Sequence, residues 1–200
     1  MENSVEEPAI EYDKIYTYAD YLKWRFKERI EILKGKVFKM SPAPARNHQV
    51  TSRELGRIFV NHFHKSSCEV YIAPFDVRLV DKRKNSTKDE DIITVFQPDL
   101  CVICDSKKLD KRGCIGAPDL IIEILSPSNS KTEMKNKYEL FEENGVKEYW
   151  IVDYVYKTIH RYILQNGIYI GLKPLIAEET AKSYIFPDLQ FTVGEIFEDE

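Results

Sequence analysis

The stretch Pro118-Asp119-Leu120-Ile121-Ile122-Glu123-Ile124-Leu125-Ser126-Pro127 decides the fold, because it reads as a buried strand with one charge set inside it. An ionised carboxylate in such company is costly unless something pairs with it. Glu123 therefore requires a partner from elsewhere in the chain. A second carboxylate, Asp99, lies in a similar apolar run some two dozen residues earlier.

Working outward, a helix opens at Ser130, whose hydroxyl can cap it with Glu133 completing a capping box, and Gly145 ends it. Upstream, strands are predicted over Glu69 to Val80 and Thr94 to Cys104. Before them come a helix over Tyr18 to Lys27, a strand pair over Ile30 to Met40 turning at Lys34-Gly35, a Ser41-Pro42-Ala43-Pro44 break and a longer helix over Arg46 to His64. Downstream, strands are predicted at Tyr149 to Asp153, Thr158 to Leu164, Ile168 to Leu172 and Ser183 to Ile185, with Gln165-Asn166-Gly167 as a hairpin turn. This order argues an α/β (α+β mixed) fold, a mixed sheet flanked by helices. With no repeat or linker, 200 residues at 43% hydrophobic content fit one domain spanning 1–200.

On a wheel of ~100° per residue, Val50, Glu54 and Ile58 share a side next to Leu55 and Phe59, so Glu54 faces inward or borders the core. In the following helix Lys137 falls between Leu140 and Phe141. Period two in the strands groups Asp99, Cys101 and Ile103 on one face, and Asp119, Ile121, Glu123 and Leu125 on one face of theirs. Four charges, Glu54, Asp99, Glu123 and Lys137, can then point at one place. Two carboxylates side by side repel unless a divalent cation or a proton lies between them, and hard oxygen ligands suit Mg²⁺ or Mn²⁺. The same residues also fit a buried ion-pair network, with Lys137 neutralising Glu123 and Glu54 pairing with an arginine.

No stretch reaches the roughly 18 uncharged apolar residues of a membrane helix, and Met1 to Glu7 is unlike a signal peptide, so a soluble cytoplasmic protein is expected, without a membrane partner. A net charge of −4 excludes a general nucleic-acid coating protein. Any nucleic-acid contact must be local, from Lys82-Arg83-Lys84, from Lys107-Lys108 with Lys111-Arg112, or from Lys131 with Lys135, each of which also reads as a solvated face. Cys68, Cys101, Cys104 and Cys114 are expected as free thiols. Cys101-x-x-Cys104 with Cys114 offers a zinc reading, against which stands the strand pattern around Cys101.

Gln97-Pro98-Asp99-Leu100, Gly116 to Ser128, Lys137-Tyr138, and Gly145-Val146-Lys147-Glu148-Tyr149-Trp150-Ile151-Val152-Asp153 together resemble the bacterial Uma family, described as putative restriction endonucleases. Met40-Ser41-Pro42 and His48 resemble its N-terminal half, so the likeness covers nearly the whole chain. The family is similar to the PD-(D/E)XK nucleases. That resemblance implies a restriction-endonuclease-like central mixed sheet flanked by helices, and Mg²⁺- or Mn²⁺-dependent phosphodiester hydrolysis of nucleic acid, DNA rather than RNA. Carried over, Asp99 is the motif aspartate and Glu123 the acidic residue of the next motif. Both are metal ligands together with the Ile124 carbonyl. The lysine expected two residues after Glu123 is Leu125 here, and Lys137 takes its place. Glu54 is the acidic residue of the preceding helix.

His48 and Tyr138 are substrate-binding candidates, each also readable as structural. Asp119 lies about 13 Å from Glu123 along an extended strand and is expected to be structural. A homodimer is expected, with Tyr162, Tyr169 and Tyr184 as an interface. The rival reading is a catalytically silent nuclease-fold module that binds nucleic acid or protein.

Overall fold

The computed structural model describes residues 10–11, 13–24, 29–40, 45–81, 84, 86–126 and 131–198. Helix α1 (Tyr18–Tyr21) opens at Thr17, whose hydroxyl accepts the Asp20 N–H while the Asp20 carboxylate accepts the Thr17 N–H. It is much shorter than predicted, and residues 25–28 lie outside the described set. The hairpin of β1 (Ile30–Leu33) and β2 (Lys36–Lys39) turns at Lys34-Gly35 as expected. The break at 41–44 lies outside the described residues, and α2 (Arg46–Phe63) follows it.

The two runs predicted as single long strands are each two strands. β3 (Glu69–Ile72) and β4 (Val77–Leu79) part at Pro74, while β5 (Thr94–Phe96) and β6 (Leu100–Ile103) part at Pro98. Proline brings no N–H to a ladder, so pairing stops there and the chain is free to change sheets. The two breaks are neighbours, the Ala73 N–H donating to the Asp99 carbonyl at 3.1 Å.

A short hairpin that the sequence did not suggest follows, β7 (Leu109–Asp110) and β8 (Gly113–Ile115), and then β9 (Leu120–Ile124) and α3 (Lys131–Asn144). The predicted cap at Ser130 and Glu133 lies outside the described residues. Gly145, at φ +85°, ends α3 by letting the Gly145 and Val146 N–H groups return to the Phe141 carbonyl. β10 (Glu148–Asp153) runs parallel to β9, and β11 (Thr158–Gln165) turns into β12 (Ile168–Gly171) through Asn166-Gly167, both at positive φ. β13 (Thr180–Lys182) and β14 (Gln190–Thr192) precede a 3-10 turn, Val193–Ile196.

Among the described residues the strands form two six-stranded sheets and a two-stranded ribbon. One sheet runs β2-β1-β5-β4-β8-β7 and the other β12-β11-β10-β9-β6-β3. The second sheet is central. Leu100, Val102, Leu120, Ile122, Trp150 and Val152 pack on one face against Leu55, Phe59 and Phe63 of α2 and the C-terminal segment. Cys101, Ile103, Ile121 and Tyr149 pack on the other against Leu140 and Phe141 of α3 and Val77, Leu79 and Phe96 of the first sheet. This is the expected mixed sheet with helices on both sides.

Three details depart from expectation. Cys68 and Cys104 form a disulfide, because the Glu69↔Ile103 register of β3 and β6 sets them opposite one another. That bond removes Cys104 from any zinc site, while Cys101 and Cys114 are free and buried. No strand spans Ser183 to Ile185. There the Ser183 hydroxyl and the Tyr184 and Ile185 N–H groups instead converge on the carboxylate of Glu148. Of the three tyrosines expected at a dimer interface, Tyr162 and Tyr169 pack with Tyr138 and Tyr149 in an aromatic cluster, leaving Tyr184 exposed.

Glu148, wholly buried, also accepts the Trp150 Nε1–H at 2.7 Å, so one carboxylate ties β10 to the C-terminal segment. Glu148→Ala should strand these donors and cost about 3 kcal/mol or more. Urea unfolding checks this, and a loss below about 1 kcal/mol would contradict it.

Candidate active site

β6 and β9 pair antiparallel with Leu100 opposite Ile122. One step beyond, the same register sets Asp99 opposite Glu123, whose carboxylate faces Lys137 of α3. Asp99 accepts the Ile124 N–H at 2.7 Å, which pins its carboxylate to β9. Lys137 reaches down from α3, as its place on the helical wheel predicts, and its Nζ lies 3.1 Å from Glu123.

The same Nζ lies 3.2 Å from a third carboxylate, Glu31 of β1, which is only 1% exposed. Sequence reasoning passed over Glu31. The signal was present, since Ile30-Glu31-Ile32-Leu33 sets a carboxylate among aliphatic residues just as the Glu123 strand does. Glu31 also accepts the Gln97 N–H at 3.0 Å. Behind it the Gln97 side chain donates to Asp76, and Asp76 also accepts the Tyr18 and Tyr21 hydroxyls. Burial, reinforced by Asp76, pushes both phenols above their ordinary pKa.

Three carboxylates, Asp99, Glu123 and Glu31, gather near one ammonium, which lies within 3.2 Å of the last two. Burial pushes the Glu123 carboxyl up to about 8, Asp99 and Glu31 push the same way, and Lys137 opposes them. Among the described residues no group of three His, Cys, Asp or Glu side chains is gathered as a metal cage. A Mg²⁺ ion does not need one. It binds through one or two carboxylates and keeps several waters. The paired hard oxygens of Asp99 and Glu123, in a site short of positive charge, fit such an ion.

The other sequence candidates lie apart to different degrees. His48, in the first turns of α2, is buried with Nε2 3.5 Å from Asp99. Its Nδ1 is buried without a partner among the described residues. Tyr138 packs its ring against Tyr162 and Tyr169, at 5.0 and 5.2 Å between centroids, and so serves the core.

Glu54 corrects the idea of four converging charges. α2 packs on the opposite face of the central sheet from Lys137, and the Glu54 carboxylate is taken by the Nε groups of Arg53 and Arg57, each at 2.8 Å. Asp119, expected to be structural, is engaged within the chain. Burial works against its charge, but Lys147 at 2.7 Å and the Cys104 N–H outweigh it and hold the carboxyl below the usual range.

The basic clusters are largely engaged. Lys108 donates to the Ala117 carbonyl, Arg112 pairs with Asp89, Lys84 with Asp91 and Lys135 with Glu139. Lys82, Arg83 and the Lys131 side chain lie outside the described residues. No helix among the described residues is long and apolar enough to cross a membrane.

This fold is shared with a crystal structure from Anabaena variabilis ATCC 29413, described as "a putative nuclease belonging to DUF820". The TM-score is 0.68 at 20% identity, over 91% of this chain and 97% of that one. A family model described as "Uma2: Putative restriction endonuclease" matches residues 18–194, and the chain belongs to that family. A protein of Synechocystis sp. (strain ATCC 27184 / PCC 6803 / Kazusa), described as uncharacterized, is 27% identical over 135 residues. That match takes in 66% of this chain and 65% of the relative, so the chain spans under two thirds of that protein's length.

The Glu123 carboxyl gives a pH signature. Its ordinary value is 4.5, and in the fold it keeps its proton to about 8. Between these values the native state binds more protons than the unfolded one, so stability falls as pH rises through the window. In chelator, the urea midpoint should therefore decline from about pH 5 to 8, and Glu123→Gln should flatten the decline. An undiminished slope in the variant would refute the assignment.

Proposed function

We propose that the chain is a metal-dependent endonuclease acting on nucleic acid, DNA rather than RNA, in the cytoplasm. The observation that carries this reading is the pair Asp99 and Glu123, opposed across β6 and β9, with the Lys137 ammonium beside Glu123. The family match supports it.

In this reading Asp99, Glu123 and the Ile124 carbonyl hold Mg²⁺ or Mn²⁺. The ion supplies Lewis-acid charge that lowers the pKa of water and offsets the charge developing on a phosphoryl group. Lys137 orients the attacking water and stabilises phosphate charge as a cation, without needing to lose its proton. Glu31 also pairs with the ammonium, so Lys137 is held by two carboxylates. Asp99 fixes its own position through the Ile124 N–H, and His48 flanks it where a phosphate would approach. Duplex cleavage needs two active sites or two visits, and a homodimer would supply two. The exposed Ile168 and Ile170 of edge strand β12 are where a second copy would pair.

The rival, a silent nuclease-fold module, draws support from the hydrogen bonds that Asp99 and Glu123 already make within the chain. Cleavage of supercoiled, linear and single-stranded DNA and of RNA, with Mg²⁺, Mn²⁺ or chelator, separates the two. Metal-dependent cutting is expected, with Asp99→Ala, Glu123→Ala and Lys137→Ala each losing at least about 100-fold. Full activity in any of these folded variants would overturn that residue's role, and no cutting of any substrate would favour the module.

A further inference from the structure

Arg53, Glu54 and Arg57 form an exposed cluster that the chemistry above does not use. The two guanidiniums donate through Nε, one to each oxygen of the Glu54 carboxylate, and the Arg57 bond, followed by the Arg53 bond, holds that carboxyl below its ordinary pKa. The arginine side chains are 70% and 56% exposed. The Nε groups are taken by Glu54, and no partner of the terminal nitrogens of either fork is found among the described residues.

The setting is basic. From Arg46 to Lys65 the chain carries Arg46, Arg53, Arg57 and Lys65 against one acid, Glu54, although its net charge is −4. Arg46 is already paired with Glu198, which leaves the middle of the helix as the place where arginine forks are offered. The N-terminal end of the same helix is at the site, because His48 lies 3.5 Å from Asp99. Arg53 comes five residues later, about 7.5 Å along the axis, and Arg57 stands one turn beyond it on the same side.

Resting on the nuclease reading, we propose that Arg53 and Arg57 are a phosphate-binding platform for the backbone of the nucleic acid, with Glu54 as the residue that positions both. A guanidinium presents a planar fork that matches two phosphate oxygens. Fixing the fork beforehand lowers the ordering cost of binding. The triad keeps one net positive charge, and substrate runs from the carboxylates along the outer side of α2. Glu54 thus serves the site by orienting cations, not by holding a metal.

Fluorescence anisotropy of a labelled duplex DNA, titrated in chelator at several salt concentrations, tests this. Arg53→Gln/Arg57→Gln should weaken binding at least about 10-fold at low salt and reduce the slope of log affinity against log salt by about 2, with an unchanged urea midpoint. Glu54→Gln separates positioning from charge. It adds a net positive charge, so rising affinity would overturn the positioning role, whereas the platform requires weaker binding at an unchanged slope. A double variant that binds as the wild type does, while metal-dependent cleavage persists, would overturn the platform and leave the nuclease reading standing. A wild type that binds no nucleic acid at any salt would overturn both.

Discussion

A lysine ammonium buried between two carboxylates is the constraint on which the rest of the molecule depends. Lys137 is tolerable inside the protein only while Glu31 and Glu123 stand on either side of it. Those three side chains come from α3, from β1 of one sheet and from β9 of the other. The salt bridges therefore act as a register pin. Shifting any of the three elements by one residue would turn its charge away and leave the others unpaired in an apolar interior.

Two prolines let the sheets meet there. At Pro74 and Pro98 the ladder is interrupted, and the chain passes from one sheet to the other at adjacent points. The crossing at Pro98 sets Gln97 against Glu31 on one side and Asp99 against the Ile124 N–H on the other. Two consecutive strands thus deliver polar groups to both halves of a single site. The seam between the sheets also explains why acidic side chains are tolerated at this depth. Backbone N–H groups and Lys137 meet them there, and Asp99 keeps some contact with solvent.

Much of this was legible in the residues. A carboxylate inside an apolar strand marked Glu123, period two put Asp99 and Glu123 on matching faces, and the helical wheel turned Lys137 inward. Glu31 carried the same signature in a shorter run beside a turn and was passed over. The wheel misled at Glu54 because amphipathic spacing tells which way a side chain faces from its own helix, not which face of a sheet that helix covers. The strand breaks at Pro74 and Pro98 were written in the sequence, but apolar runs on both sides masked them. The Cys68–Cys104 pair was hidden because it arises from the register of β3 and β6, which no local pattern specifies. Composition could not say which basic residues already have acidic partners, as Lys84, Arg112 and Lys135 do.

The central claim is that the excess of negative charge around Lys137 is matched by a divalent cation at Asp99 and Glu123. Calorimetric titration of the purified protein with Mn²⁺, beside an Asp99→Asn variant that preserves shape and removes one charge, tests it most directly. One Mn²⁺ should bind per chain in the wild type and fail to bind in the variant. Absence of binding in the wild type, or equal binding in both, would contradict the claim and leave a structural ion-pair network in its place.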